Sequence, residues 1–273
     1  MTYFQAIILG IIQGLTEYLP VSSSAHLVIV PFLLGWSFPE DQVFVFDVLV
    51  QLGTLLAVIV YFWKDLWQIV VAFVKGLISR KPFETTESCM GWLIILASIP
   101  GGLAGVLIKP WVEAAFANPA AVGVFLLVTA VMLTAAEYIG KKEKGFTGIN
   151  WVDALLIGLG QAVAIFPGIS RSGATIAVGL TRGIKRADAA KFSFLMSIPI
   201  MLAAGLYSAL DLTGVANLSS FLPVIIVATI VAAIVGYLSI KWLLAYLTRR
   251  PLTDFAIYCA AAGALVLIVS FIR

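Results

Sequence analysis

Ala6-Ile-Ile-Leu-Gly10-Ile-Ile-Gln13, followed by Pro20 and Ser23, returns about 148 residues later as Ala154-Leu-Leu-Ile-Gly158-Leu-Gly-Gln161, followed by Pro167 and Ser170. At the same offset Phe44-Val-Phe46 meets Phe192-Ser-Phe194, and each pair opens a long apolar span. Shared apolar composition matches apolar letters, but not Gly, Gln, Pro and Ser together at one spacing. The chain therefore reads as two related halves, and their order of elements decides the fold.

The solvent of both halves follows from composition. Of 273 residues, 62% are hydrophobic and 11% charged, against about 25% charged in a soluble domain. Apolar runs recur at 44–63, 92–110, 119–139, 192–212, 221–247 and 254–272, each long enough for a hydrocarbon core of about 30 Å. The first apolar stretch has no basic leader, and Glu17, Pro20 and three serines interrupt it. It reads as part of the mature protein rather than as a cleaved signal. Cys89 and Cys259 match neither a disulfide framework nor a metal-ligand spacing.

Basic side chains set the orientation, because short loops rich in Lys and Arg stay in the cytoplasm. Lys64, Lys75, Arg80 and Lys81 read as one such loop, Lys141, Lys142 and Lys144 as a second, Arg182, Lys185, Arg186 and Lys191 as a third, and Arg249 with Arg250 as a fourth. All four share a side only if residues 1–35 and 152–183 each enter and leave the membrane on one side. These segments are therefore expected to be re-entrant helix pairs, the first dipping in from outside beside the acidic Glu40-Asp41 loop and the second from the cytoplasm. The expected fold is an all-α integral membrane protein with an inverted-topology repeat. Each half, 1–145 and 146–273, carries one re-entrant pair and three transmembrane helices. Such folds place their sites near the midplane, where broken helices aim N-termini at anionic groups.

The first re-entrant segment reads Gln13-Gly-Leu-Thr16-Glu17-Tyr18-Leu-Pro20-Val-Ser22-Ser23-Ser24-Ala-His26. Gln13 and Glu17 share a helical face, Pro20 breaks the helix, and the serines suit the N-cap of a second half-helix. Serines beside a proline also serve simply to satisfy freed backbone groups. An ionisable group at the bilayer centre, however, costs about 3 kcal/mol on insertion scales, so Glu17 points to a site. His26 is the only histidine, and Ser23 and His26, three apart, are expected on one face as the parts of an activated nucleophile.

The second segment reads Phe166-Pro167-Gly168-Ile169-Ser170-Arg171-Ser172-Gly173-Ala174-Thr175. Arg171 lies too deep in its apolar stretch to snorkel, so it needs a partner. Two readings stay open: a structural ion pair with Glu17, or a phosphate clamp. Helix N-terminal amides, the hydroxyls of Ser170, Ser172 and Thr175, and the close backbone approach that Gly173 allows fit an anion site. No P-loop pattern is present, and nothing points to a nucleic acid. Asp47 and Gln51, one turn apart, can share a cavity face, while Asp65, Asp153, Asp211 and Asp254 sit at span ends, where capping or solvation accounts for them.

Through these two motifs, in this order and across essentially the whole length, the chain resembles the bacitracin-resistance family of undecaprenyl diphosphate phosphatases. The resemblance implies removal of the terminal phosphate of a polyprenyl diphosphate lipid, recycling the carrier lipid of peptidoglycan synthesis and conferring bacitracin resistance. It implies a multi-pass protein of the bacterial inner membrane with a site toward the periplasm, a divalent cation (Mg or Ca), and a homodimer as an open question. It points to Ser23 as nucleophile, Glu17 and His26 as activating or proton-transfer partners, and Arg171 as phosphate clamp. Gln13, Ser22, Ser24, Ser170, Ser172, Gly173 and Thr175 complete the substrate pocket. The first motif position holds Gln13 rather than Glu, which leaves Glu17 as the single carboxylate for any metal in this motif. The rival class is a transporter or flippase for an anionic prenyl lipid, which needs Arg171 and Glu17 but has no use for an activated serine.

Overall fold

The computed structural model describes residues 1–38, 40–116, 118–211 and 218–272, without the side chains of Glu40, Asp41, Phe44, Lys109, Glu113, 207–211, Leu218 and Ser220. The expectations placed on the Glu40, Asp41 and Asp211 side chains lie outside this set. The described residues form twelve α-helices: α1 Tyr3–Thr16, α2 Ser23–Leu34, α3 Glu40–Tyr61, α4 Trp63–Ile78, α5 Thr86–Leu107, α6 Lys109–Phe116, α7 Pro119–Ile139, α8 Trp151–Val163, α9 Arg171–Thr181, α10 Arg186–Asp211, α11 Leu218–Leu247 and α12 Thr253–Ile272. Five of them (α5, α7, α10, α11 and α12) are long and apolar enough to cross a membrane, and α3 makes a sixth when taken with α4. Large apolar side chains such as Val131, Ile234 and Phe271 are exposed along these helices, as hydrocarbon solvent requires.

The helix ends obey local chemistry. Thr2 and Gln5 form a capping box at α1, Asn150 and Asp153 another at α8, each satisfying two amides that the helix leaves unpaired. Ser22 caps α2 and Ser170 caps α9 through the amides of Ala25 and Gly173. Both short pairs, α1–α2 and α8–α9, are thus helix–turn–helix units broken at the proline-containing turns, at the expected places.

One segment departs from expectation. Residues 64–78 form the helix α4 rather than a loop, turned 80° from α3 at Phe62. Its exposed apolar residues Trp63, Trp67, Val70, Val74 and Leu77 alternate with Lys64, Asp65, Gln68 and Lys75 at helical spacing. An amphipathic helix at right angles to a spanning one suits the membrane surface. Counting charges registers the lysines and misses this period.

Where the basic segments lie relative to one another is fixed by ion pairs. Glu137, at the end of α7, binds Lys142 and Arg186 and accepts the Leu252 amide. Asp153 binds Lys144 at 2.7 Å and Arg182 at 2.9 Å, and Lys191 reaches Asp65 of α4 at 2.6 Å. The Lys144–Ile184 bridge fastens the same loops through their backbones. All four basic segments therefore meet at one end of the bundle. Because Asp153 opens α8 and Arg182 closes α9, that pair enters and leaves at the same end. Asp65, expected to be solvated or capping, is partly exposed in the first turn of α4 and also pairs with Lys191.

The helices pack through small residues, as membrane helices do when backbones approach closely. A Cβ on Gly10 of α1 would stand 2.6 Å from the Ala228 carbonyl of α11, and one on Gly158 of α8 would stand 2.4 Å from the Ala97 carbonyl of α5. Two glycines at matching positions in the sequence repeat thus seat two short helices on two long ones. At the centre Tyr18, fully buried, meets Phe194 edge-on at 4.9 Å and donates its hydroxyl to the Thr54 carbonyl at 2.7 Å. This contact fixes the α1–α2 turn against α3 and α10.

Candidate active site

The two broken turns meet. The Gly168 amide donates to Ser22 Oγ at 3.1 Å, and Ser172 Oγ donates to the Leu19 carbonyl at 3.0 Å. Thr129 of α7 completes the join: its hydroxyl donates to the Gly168 carbonyl at 2.9 Å and accepts the Ser170 amide at 3.0 Å.

Glu17 sits at this junction, buried, at the C-cap of α1. Its Oε1 accepts from Arg171 Nη2 at 2.8 Å; its Oε2 accepts from Gln13 Nε2 at 2.7 Å and from Ser23 Oγ at 2.5 Å. The helical spacing of Gln13 and Glu17 gives the first of these, and the turn of Glu17 to Val21 brings Ser23 back for another. Arg171 Nη1 and Gln13 Oε1 are buried and make no protein hydrogen bond. Since buried polar groups are normally paired, these two atoms mark where a polar ligand would be completed. The Ala25 amide that opens α2 is taken by Ser22 Oγ, while those of Ser23 and Ser24, in the same first turn, have no acceptor within the helix.

The expected Ser23–His26 pair is not formed. His26 Nδ1 meets the Ser22 carbonyl at 2.7 Å and Nε2 meets the Tyr258 hydroxyl at 2.7 Å. The first turn of α2 points the ring toward α12, while the Ser23 hydroxyl turns back to α1. The carboxylate of Glu17 thus takes the place expected for the imidazole beside Ser23.

The other predicted residues are at the junction, but mostly facing protein. Ser24 Oγ lies 3.2 Å from Ser22 Oγ. Ser172 gives its proton to Leu19, so Ser170 donates to Ser172 across 3.2 Å and accepts the Gly173 amide at 3.0 Å. Thr175 donates to the Arg171 carbonyl at 2.7 Å and lies 2.6 Å from Ser193 Oγ of α10. These groups, expected to face an anion, instead brace the α9 turn that carries Arg171. Asp47 is buried with Oδ2 unpaired, beside an apolar cavity of about 210 Å³ shared by Leu9, Leu27, Val28, Pro31 and Phe46.

Among the described residues no three His, Cys, Asp or Glu side chains stand together as a metal would require. Glu17, the carboxylate expected to serve a metal, already accepts from Arg171, Gln13 and Ser23, and the buried Gln13 Oε1 beside it is an unpaired oxygen donor.

The family model described as "Bacitracin resistance protein BacA" matches residues 6–265. The chain belongs to this family. Several similar proteins are named undecaprenyl-diphosphatase. The one from Pelodictyon phaeoclathratiforme is 45% identical, covering 98% of this chain and 96% of its own. Those from Pelotomaculum thermopropionicum and Myxococcus xanthus are 42% and 39% identical, covering 100% and 98% of this chain and 98% and 89% of theirs.

In this BacA-family chain, sequence reading missed Thr129, Tyr258, Tyr18 and Thr54. Thr129 and Tyr258 each carry a hydroxyl inside an apolar span, and that is the signal that was available for them.

Proposed function

We propose that this chain is an integral membrane phosphatase that hydrolyses undecaprenyl diphosphate to undecaprenyl phosphate and inorganic phosphate. The observation that carries the reading is the 2.5 Å bond from Ser23 Oγ to Glu17 Oε2, beside the unpaired Nη1 of Arg171. The names of the relatives supply the substrate.

In this mechanism Arg171 Nη1 and the first-turn amides of α2 hold the oxygens of the terminal phosphate, which is the charge neutralisation that phosphoryl transfer chiefly needs. Glu17 takes the proton of Ser23 as Oγ attacks the terminal phosphorus. The Oγ–P bond forms, the bridging P–O bond breaks, and its electron pair leaves on undecaprenyl phosphate. Water then cleaves the phosphoserine, Glu17 returns the proton to Ser23, and inorganic phosphate departs. Both ring nitrogens of His26 are engaged elsewhere, which favours serine over histidine as nucleophile. A divalent cation, Mg or Ca, would be carried by the diphosphate itself and would neutralise its charge; no step above depends on it.

The same reading extends to the setting. Residues 1–145 and 146–273 are the two inverted repeats, a view supported by the matched seats of Gly10 and Gly158. The gathered basic segments mark the cytoplasmic end of the bundle in the bacterial inner membrane, leaving the site open toward the periplasm. The cavity beside Leu27 and Val28 suits the first isoprene units, while membrane partition holds the rest of the tail at about 0.8 kcal/mol per methylene. Carrier-lipid recycling for peptidoglycan and bacitracin resistance follow from that activity.

The test is phosphate release from a long-chain prenyl diphosphate by purified protein, with and without a chelator. Lipid binding without phosphate release would move the chain to the transporter class.

A further inference from the structure

Ser22 is one of three non-glycine residues with positive φ among the described residues, and of these it alone lies in the site, at φ 68° and ψ 96°. An L-residue persists there only when its surroundings hold it. Its side chain is held by two amides, those of Ala25 and Gly168. Its carbonyl, the first acceptor of α2, is served poorly by the backbone: the His26 amide stands 3.4 Å away. The Nδ1 of the same His26 reaches that oxygen at 2.7 Å.

A carbonyl only accepts, so Nδ1 carries the proton, and with the ring in its neutral form Nε2 accepts from Tyr258 Oη. The two rings lie nearly parallel, 11° apart with centroids separated by 5.6 Å. Tyr258 comes from α12, more than 200 residues away along the chain.

The geometry points to His26 and Tyr258 as positioning residues: Tyr258 sets the tautomer and tilt of the imidazole, which holds the Ser22 carbonyl and so keeps the Ser23 hydroxyl on Glu17. This inference rests on the phosphatase reading and departs from an acid–base role for His26. Neither ring nitrogen is left to carry a proton to or from Ser23.

Isosteres of the two ring nitrogens separate these roles. Asparagine places its amide nitrogen near the position of Nδ1 and can donate to a carbonyl one turn back; glutamine places it near Nε2. The experiment measures kcat and KM for a long-chain prenyl diphosphate, and unfolding temperature in detergent, for wild type, His26→Asn, His26→Gln, His26→Ala, Tyr258→Phe and the His26→Asn, Tyr258→Phe double variant. Positioning predicts that His26→Asn stays within about tenfold of wild type, while His26→Gln and His26→Ala lose about a hundredfold or more, in kcat rather than KM. Tyr258→Phe lowers kcat in the wild-type background and adds nothing to His26→Asn, because the nitrogen it acts on is gone. Equal inactivity of the three His26 variants would overturn the inference, as would full additivity of Tyr258→Phe with His26→Asn. So would unfolding of the asparagine variant under conditions where the alanine one stays folded. If the wild type itself releases no phosphate, the phosphatase reading fails separately. The His26 contact to the Ser22 carbonyl is then judged by unfolding temperature, which must be higher for Asn than for Gln or Ala.

Discussion

Arg171 and Glu17 join the two proline-containing turns through a single 2.8 Å contact that uses Nη2 and leaves the buried Nη1 of the same guanidinium unpaired. One arginine thus serves both readings open at the sequence level, as the carboxylate's counter-ion and as a donor with capacity to spare. A lysine in its place can keep the ion pair but cannot offer a second planar N–H. Arg171→Lys should therefore unfold near the wild-type temperature while losing about a hundredfold or more in kcat, the usual cost of removing one such donor. Arg171→Ala should also lose stability, by about 3–5 kcal/mol, because it strands a buried charge, and Glu17→Gln should restore that stability without restoring activity. Phosphate release and thermal unfolding in detergent read both quantities. Full activity in the lysine variant would defeat the clamp.

Ser23 and Glu17 are tested as a unit. Ser23→Ala removes the attacking atom and little packing, so it should abolish turnover while the protein still binds the lipid. Glu17→Gln keeps the shape but cannot accept a proton, and a lost general base costs about 10²–10⁴ in rate. Each loss should fall mainly on kcat, and the double variant should be scarcely worse than Ser23→Ala alone. Near wild-type phosphate release from Ser23→Ala would remove serine as the nucleophile.

The short helix pairs broken at proline turns, the five long apolar helices with α3–α4 as a sixth, and the Glu17–Arg171 junction were legible because each follows from a local signal: a proline beside serines, an apolar run, an ionisable group too deep to snorkel. Which hydroxyl faces which neighbour was not legible. Ser23 and His26 occupy the same first turn of α2, yet Ser23 is claimed by α1 and His26 by α12. That choice depends on Tyr258, which sequence places 232 positions away. The α9 hydroxyls look like anion ligands by composition, and their use inside the protein follows from contacts with Leu19 and Ser193 that no spacing encodes. Helix α4 was legible in principle, since its period of apolar residues is helical, but a count of charges hides it.

Orientation is tested by labelling from outside intact cells in a background with Cys89 and Cys259 replaced. Single cysteines at Arg80 and Lys142 should resist an impermeant thiol reagent until the membrane is opened, while one at Asp41 should react at once. Labelling of the Lys142 and Asp41 positions from the same side would exclude the proposed topology.

Glycine packing offers a test that does not involve the chemistry. Gly158 and Gly10 each face a carbonyl oxygen at a distance no Cβ tolerates, 2.4 and 2.6 Å, and the obstacle is backbone, which cannot rotate aside. Gly102, in the last two turns of α5, would present its Cβ to nothing within 4 Å. Gly158→Ala and Gly10→Ala must therefore push α8 from α5 and α1 from α11, and should cost about 1–3 kcal/mol each, the range for overpacked sites. Gly102→Ala meets no such obstacle and should gain up to about 1 kcal/mol from helix propensity alone. Because α1 ends at Glu17 and α8 leads into the Arg171 turn, the first two variants should also lower phosphate release, and the third should leave it unchanged. Unfolding temperature in one detergent gives the ranking, and equal stability of all three variants would show that the close backbone seats do not hold the short helices α1 and α8 in place.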